Sequence, residues 1–214
     1  MTGLFLSTLD KVPDDGFAVE VLPGWTRAHV VAHVAANAHA LRRLLAWART
    51  GVPTPMYASA DERGREIELG ATLPPAELRA RARTAAEAFA EDVASLPPDR
   101  WQAEVVTAQG RTVPATEIRW LRTREEAVHA VDLDAGTDFA DLPAAVCEAL
   151  VADIARWRDT KANGPALVLT CAAQTWHVTG SGDPLPVTMS APDMAAWLTG
   201  RRRFPALPTL PRWL

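Results

Sequence analysis

Glu125 and His129 stand four residues apart in the segment Arg122-Thr-Arg-Glu125-Glu-Ala-Val-His129-Ala-Val-Asp132-Leu. On a helix that spacing puts both side chains on one face, a turn apart. A carboxylate and an imidazole are both ligands for zinc and its first-row neighbours. Alone the pair is unspecific, since most Glu-x-x-x-His pairs are solvated surface contacts. His33 adds weight to it, lying among Val30, Val31, Ala32 and Val34. A lone histidine on an apolar face is ordinarily a hydrogen-bonded core residue. An inward imidazole on one bundle helix, facing an inward His–carboxylate pair on another, is what a metal site between helices needs. Two imidazoles and one carboxylate leave one tetrahedral position open, the layout of a catalytic rather than a structural site.

Other residues compete for roles at this site. His29 lies one turn before His33. His39 lies six residues beyond His33, on a different face, and His177 falls in a β-rich stretch and reads as structural or exposed. Asp132, three residues past His129, is in reach of its second ring nitrogen, where a carboxylate commonly orients a ligating imidazole. Bonding to backbone at the helix end is its other reading. Asn37, a turn past His33, is a similar candidate, while Trp25 and Trp120 read as bundle core.

The elements that must position these residues are legible in the pattern of caps and breakers. Thr26 is a good N-cap for a helix from Arg27 to Thr50 that stops at Gly51. At 1.5 Å per residue it would be about 36 Å long, which suits a bundle. Ser59 caps a second helix, Ala60 to Gly70, and Pro74-Pro75 opens a third, Ala76 to Ser95, stopped by Pro97-Pro98. A short hairpin turning at Gly110 fits Glu104 to Val113, and a fourth helix runs from Ala115 to Asp134. Beyond it the pattern changes. Pro143 to Trp157 is helical, the short runs Ala166–Cys171, Trp176–Thr179 and Val187–Ser190 predict an antiparallel sheet, and Pro192 opens a last helix. The expected fold class is α+β, with a four-helix bundle over residues 1–138 and a small α+β domain over 139–214.

Composition narrows the function classes. The chain has 214 residues, 22% of them charged, and a formal net charge of -4, so nothing points to nucleic acid or to an anionic membrane as partner. The N-terminus has no basic start followed by a long apolar run, and no stretch has the ~18 apolar residues of a membrane helix. Two isolated cysteines, Cys147 and Cys171, read as small buried hydrophobes of a reducing compartment. These features together predict a cytoplasmic protein, a monomer or small homo-oligomer.

Four segments carry a resemblance, in order along the chain. Leu22-Pro-Gly-Trp-Thr-Arg-Ala-His-Val-Val-Ala-His33 and Arg124-Glu125-Glu-Ala-Val-His129-Ala-Val-Asp132 resemble the two metal-binding signatures of the DinB-like, mycothiol-dependent maleylpyruvate isomerase family. Met56-Tyr-Ala-Ser-Ala-Asp-Glu-Arg63 resembles its Tyr-Pro-Ser…Arg segment, with Ala58 where proline is common. Ala196-Trp-Leu-Thr-Gly-Arg201 resembles the end of its sterol-carrier-protein-like C-terminal domain. A shorter opening helix, Leu4 to Lys11, departs from the family pattern. The resemblance implies His33, Glu125 and His129 as ligands of a divalent metal, zinc by preference, with mycothiol as cofactor. It also implies Arg63 and Arg201 as the catalytic cations. The implied reaction is maleylpyruvate to fumarylpyruvate by thiolate addition, rotation about the resulting single bond, and elimination. A mycothiol S-transferase acting on another electrophile is the nearest rival, and a binding protein on the same scaffold or a metal-switched regulatory partner are readings of a different class.

Overall fold

The computed structural model describes residues 1–171 and 173–213, with Ala60 described by its backbone alone. The chain divides into two compact units, Met1–Thr137 and Asp138–Leu214.

The first unit is built around one long helix. It begins with α1 (Thr2–Leu9), followed by a two-stranded ribbon, β1 (Glu20–Leu22) with β2 (Trp25–Thr26). The helix α2 (Arg27–Thr50) then runs through the middle and ends at Gly51, whose φ of 76° is the left-handed cap that glycine adopts without strain. Next come α3 (Ala60–Ala71), begun by the Ser59 hydroxyl accepting from the Glu62 amide at 3.0 Å, and α4 (Pro75–Ser95). The hairpin β3 (Glu104–Val106) and β4 (Thr112–Pro114) leads into α5 (Glu117–Asp132). Helix α2 packs against α3, α4 and α5, and α1 packs against α5 and α4. The four expected helices are present, and the opening helix starts two residues earlier than its expected Leu4.

Two apolar clusters fill this unit. One gathers Phe5, Leu9, Phe17, Val30, Val31, Leu78 and Leu133. The other gathers Leu41, Leu44, Leu45, Phe89, Ile118 and Leu121. Between them, along α2 and α5, lie His33, Asn37, Arg122, Glu126, His129 and Asp132, all buried. Buried polar groups persist only when partnered, so this layer is where chemistry is to be looked for. Truncating a leucine in either cluster, Leu41 for example, costs about 2–5 kcal/mol.

The second unit contains α6 (Ala144–Lys161), strands β5 (Pro165–Cys171), β6 (Gln174–Val178) and β7 (Ser181–Thr188), and α7 (Ala191–Leu198). The sheet order is β6-β5-β7. Here the expectation of an antiparallel sheet needs correction: β6 is antiparallel to β5, but β7 is parallel to it. After β6 the chain crosses the start of β5 and continues on its far edge. The crossing passes so close that a Cβ at Gly180 would collide with Gly164 and Pro165, which only glycine avoids. Strand β7 also begins well before the expected run at Val187 and takes in Gly182, Asp183 and Pro184. Its prolines, Pro184 and Pro186, are tolerated because β7 is an edge strand. The tail is tied down by Arg158, whose guanidinium donates to the Leu198 carbonyl at 2.7 Å and the Pro211 carbonyl at 3.1 Å. Among the described residues no helix is long and apolar enough to cross a membrane.

Candidate metal centre

Helix α2 delivers His33 and α5 delivers Glu125 and His129 into the buried layer. One ligand atom from each lies within 4.8 Å of the others. The Glu125 Oε2 atom is 2.9 Å from His33 Nε2 and 3.5 Å from His129 Nε2. The two imidazoles meet edge to face, with centroids 4.8 Å apart. This follows from local structure: four-residue spacing aligns Glu125 with His129, and the packing of α2 on α5 sets His33 opposite them.

Asp132 Oδ2 sits 2.8 Å from His129 Nδ1. That carboxylate holds a proton on Nδ1, so the nitrogen that gives up its proton to a cation is Nε2, the one facing the cluster. Asn37, the other candidate for an orienting role, does something different. Its Oδ1 accepts from Arg122 Nη1 at 3.3 Å, which also donates to the Val34 carbonyl at 2.7 Å. His29 is spent at the start of α2, where its Nδ1 lies 2.8 Å from the Thr26 hydroxyl, and it stacks on Trp25. His39 is half-buried and His177 is exposed on β6. Trp25 packs on the core as expected, but its ring also lies 5.3 Å from that of His33. Trp120 is half-buried.

The electrostatics favour a cation here. Burial pushes the His33 imidazolium down to about 4, outweighing its hydrogen bond to Glu125, so the ring is neutral near pH 7 and a cation would displace a single proton, the one Nε2 shares with Glu125. Burial alone would raise the Glu125 carboxyl, but the hydrogen bonds from His129 and His33 hold it well below its ordinary value, and it stays an anion. At His129 burial works to lower the pKa, and the hydrogen bonds to Asp132 and Glu125 overcome it and raise the value. Two nitrogens and one carboxylate oxygen, converging and buried, fit a divalent cation of borderline hardness.

Of the two expected arginines, Arg63 joins this cluster. Its Nη2 lies 3.4 Å from His33 Nδ1 and its guanidinium lies 5.9 Å from the Tyr57 ring centroid. Arg201 lies in the second unit just beyond α7, where its Nη1 donates to the Thr199 carbonyl at 2.9 Å. Its neighbour Arg202 pairs with Asp138 and Asp193, and Arg203 is exposed. Sequence reasoning missed Tyr57, which adjoins Arg63, and Arg124, whose Nη2 lies 3.4 Å from Glu125 Oε1. The position of Tyr57 in the same motif as Arg63 was the available signal. For Arg124 there was none, because adjacent helix positions point about 100° apart.

The sequence model of the mycothiol maleylpyruvate isomerase N-terminal domain matches residues 5–134, a span containing all three candidate ligands and Arg63. The chain belongs to the mycothiol maleylpyruvate isomerase family. A crystal structure of the mycothiol-dependent maleylpyruvate isomerase matches with a TM-score of 0.93 and 36% identity, covering 99% of this chain and 92% of that one. The crystal structure of a histidine-to-alanine variant of that enzyme matches with the same TM-score of 0.93 and 36% identity. Among curated proteins none matches. The α+β architecture is thus that of a solved member of the maleylpyruvate isomerase family.

Proposed function

We propose that this chain is a mycothiol-dependent isomerase that converts maleylpyruvate to fumarylpyruvate, with a divalent cation, zinc in our reading, held by His33, Glu125 and His129. The observation that carries this is the buried His–Glu–His cluster within a chain 36% identical, over 99% of its length, to an enzyme of that activity. Rotation about a carbon–carbon double bond requires that bond to become single for a moment, and a thiol adding to the alkene does this. The chain's own thiols are poorly placed to serve. Cys147 and Cys171 are both buried, and burial pushes the Cys147 thiol up to about 11. The thiol therefore comes from outside, which is what dependence on mycothiol means. When bound, the cation supplies the Lewis acidity that keeps such a thiol ionised at neutral pH.

The residues around the cluster have distinct tasks in this reading. Asp132 keeps the Nδ1 proton of His129 in place. Arg63, half-buried beside His33, grips a carboxylate of the dianionic substrate through two parallel hydrogen bonds, a geometry that lysine cannot reproduce. Arg201 is the second catalytic cation in this reading, on the resemblance of the Ala196–Arg201 segment to the family's C-terminal motif. The first unit is the DinB-like metal-binding domain and the second the sterol-carrier-like domain. The test is turnover of maleylpyruvate by purified protein supplied with zinc and mycothiol. Isomerisation that requires both is the expected result. No turnover under those conditions overturns the substrate assignment, and consumption of mycothiol thiol in its place identifies an S-transferase.

A further inference from the structure

The two oxygens of Glu125 have different partners. Oε2 is the one both imidazoles face, at 2.9 Å from His33 Nε2 and 3.5 Å from His129 Nε2. Oε1 is 3.4 Å from the Nη2 of Arg124. Arg124 precedes Glu125 on α5, so its Cα–Cβ bond leaves the helix in another direction, and only its long side chain brings the guanidinium back. That side chain is buried, with 7% of the residue exposed. Burying a guanidinium is costly and is sustained by fixed partners.

The consequence concerns coordination number. A carboxylate that meets a cation through one oxygen fills one position, and through both oxygens it fills two. With two imidazoles present, the first mode leaves a tetrahedral position free and the second closes it. We propose that Arg124 is a positioning residue: it reserves Oε1, so that Glu125 serves the metal through Oε2 alone and a position stays open for the thiol. This rests on the reading of the cluster as a metal site. It assigns to Arg124 a task that Arg63 cannot perform, since Arg63 approaches His33 from its Nδ1 side and has no contact with Oε1 among those described.

Cobalt(II) is the probe, because its visible absorption is intense when four-coordinate and weak when five- or six-coordinate. The full chain, freed of metal and loaded with cobalt, is titrated with mycothiol while the near-ultraviolet thiolate-to-cobalt charge-transfer band is followed. Wild type should give the intense spectrum and a saturable thiolate band. Arg124→Met should still bind one cobalt per chain, with weakened visible bands and thiol affinity lower by about tenfold or more, the scale of outer-shell substitutions at metal sites. Arg124→Lys, which keeps a single charge-assisted donor, should recover part of both. If Arg124→Met loses its helical circular dichroism, Arg124→Lys carries the test by its intermediate spectrum. Wild-type spectrum and thiol affinity in Arg124→Met, or in Arg124→Lys where Met does not fold, overturn the proposal. A wild-type chain that binds no cobalt overturns the metal reading beneath it, and the two failures are thereby distinguished.

Discussion

Glu125 and Glu126 are neighbours on α5, both drawn into the interior of the first unit, yet their surroundings differ in kind. Glu126 is 2% exposed and is held by a hydroxyl and a guanidinium. Its two oxygens accept from the Thr2 hydroxyl at 2.8 and 2.9 Å, and Arg122 Nε lies 2.9 Å from Oε1. Arg122 in turn holds the Val34 carbonyl and Asn37. That network joins α1, α2 and α5 through a hydroxyl and a guanidinium, neither of which has a lone pair suited to share a metal cation with the carboxylate. Glu125 is less enclosed, with its side chain 18% exposed, and it faces two imidazoles. An imidazole, unlike a guanidinium, carries a lone pair, so the partners of Glu125 can share a cation with it. The residue type is the same in the two glutamates, and the chemistry of the partners, together with the lesser enclosure of Glu125, is what separates a carboxylate that organises the fold from one suited to a site.

The largest effect expected is on function alone. Glu125→Ala should abolish metal binding, measured as metal per chain, and bring mycothiol-dependent turnover to background, while the metal-free protein keeps its helical spectrum. Retained metal with full turnover would remove Glu125 from the ligand set. The converse substitution sharpens the contrast. Glu126→Ala strands Arg122, 3% exposed, without its carboxylate, and losing one partner of a buried pair costs about 3–5 kcal/mol. Urea unfolding of the metal-free protein should show that loss, with metal stoichiometry preserved wherever the variant is folded. A stability change below about 1 kcal/mol would mean that Glu126 is not the structural member of the pair.

Next in size is Asp132→Asn. The shape is kept and the charge on the outer side of His129 is removed, so zinc affinity should fall by about tenfold, or about 1.4 kcal/mol, with little change in metal-free stability. Competition with a chromophoric chelator measures it. An unchanged affinity would show that the 2.8 Å contact does not orient the imidazole.

The same contrast explains what could be read from the sequence. His33, Glu125, His129 and Asp132 were legible because helical spacing of three and four residues translates directly into a shared face, and because ordered family motifs gave His33 its partners. The long helices were legible from their caps, with ends correct to a few residues. Arg124 was not, since the reach of a long side chain is invisible to a rule about faces. The bond from Thr2 to Glu126 joins residues 124 positions apart, and no local pattern encodes it. The parallel pairing of β7 failed for a related reason: it depends on one backbone crossing at Gly180, a long-range approach that reads in the sequence only as one more turn glycine.

The smallest effect expected comes from that long-range bond. Thr2→Val keeps the shape of the side chain and removes the hydroxyl that donates to Glu126. Glu126 still has Arg122, so the carboxylate is not left bare and the loss should be that of one part-buried hydrogen bond, about 1 kcal/mol in urea unfolding. Zinc stoichiometry and turnover should not change, because the bond ends on Glu126 and not on Glu125. A fall in zinc affinity on Thr2→Val would break the comparison: it would mean that the fixed network sets the position of α5 closely enough to govern the ligands beside it, and that the two glutamates act as one unit.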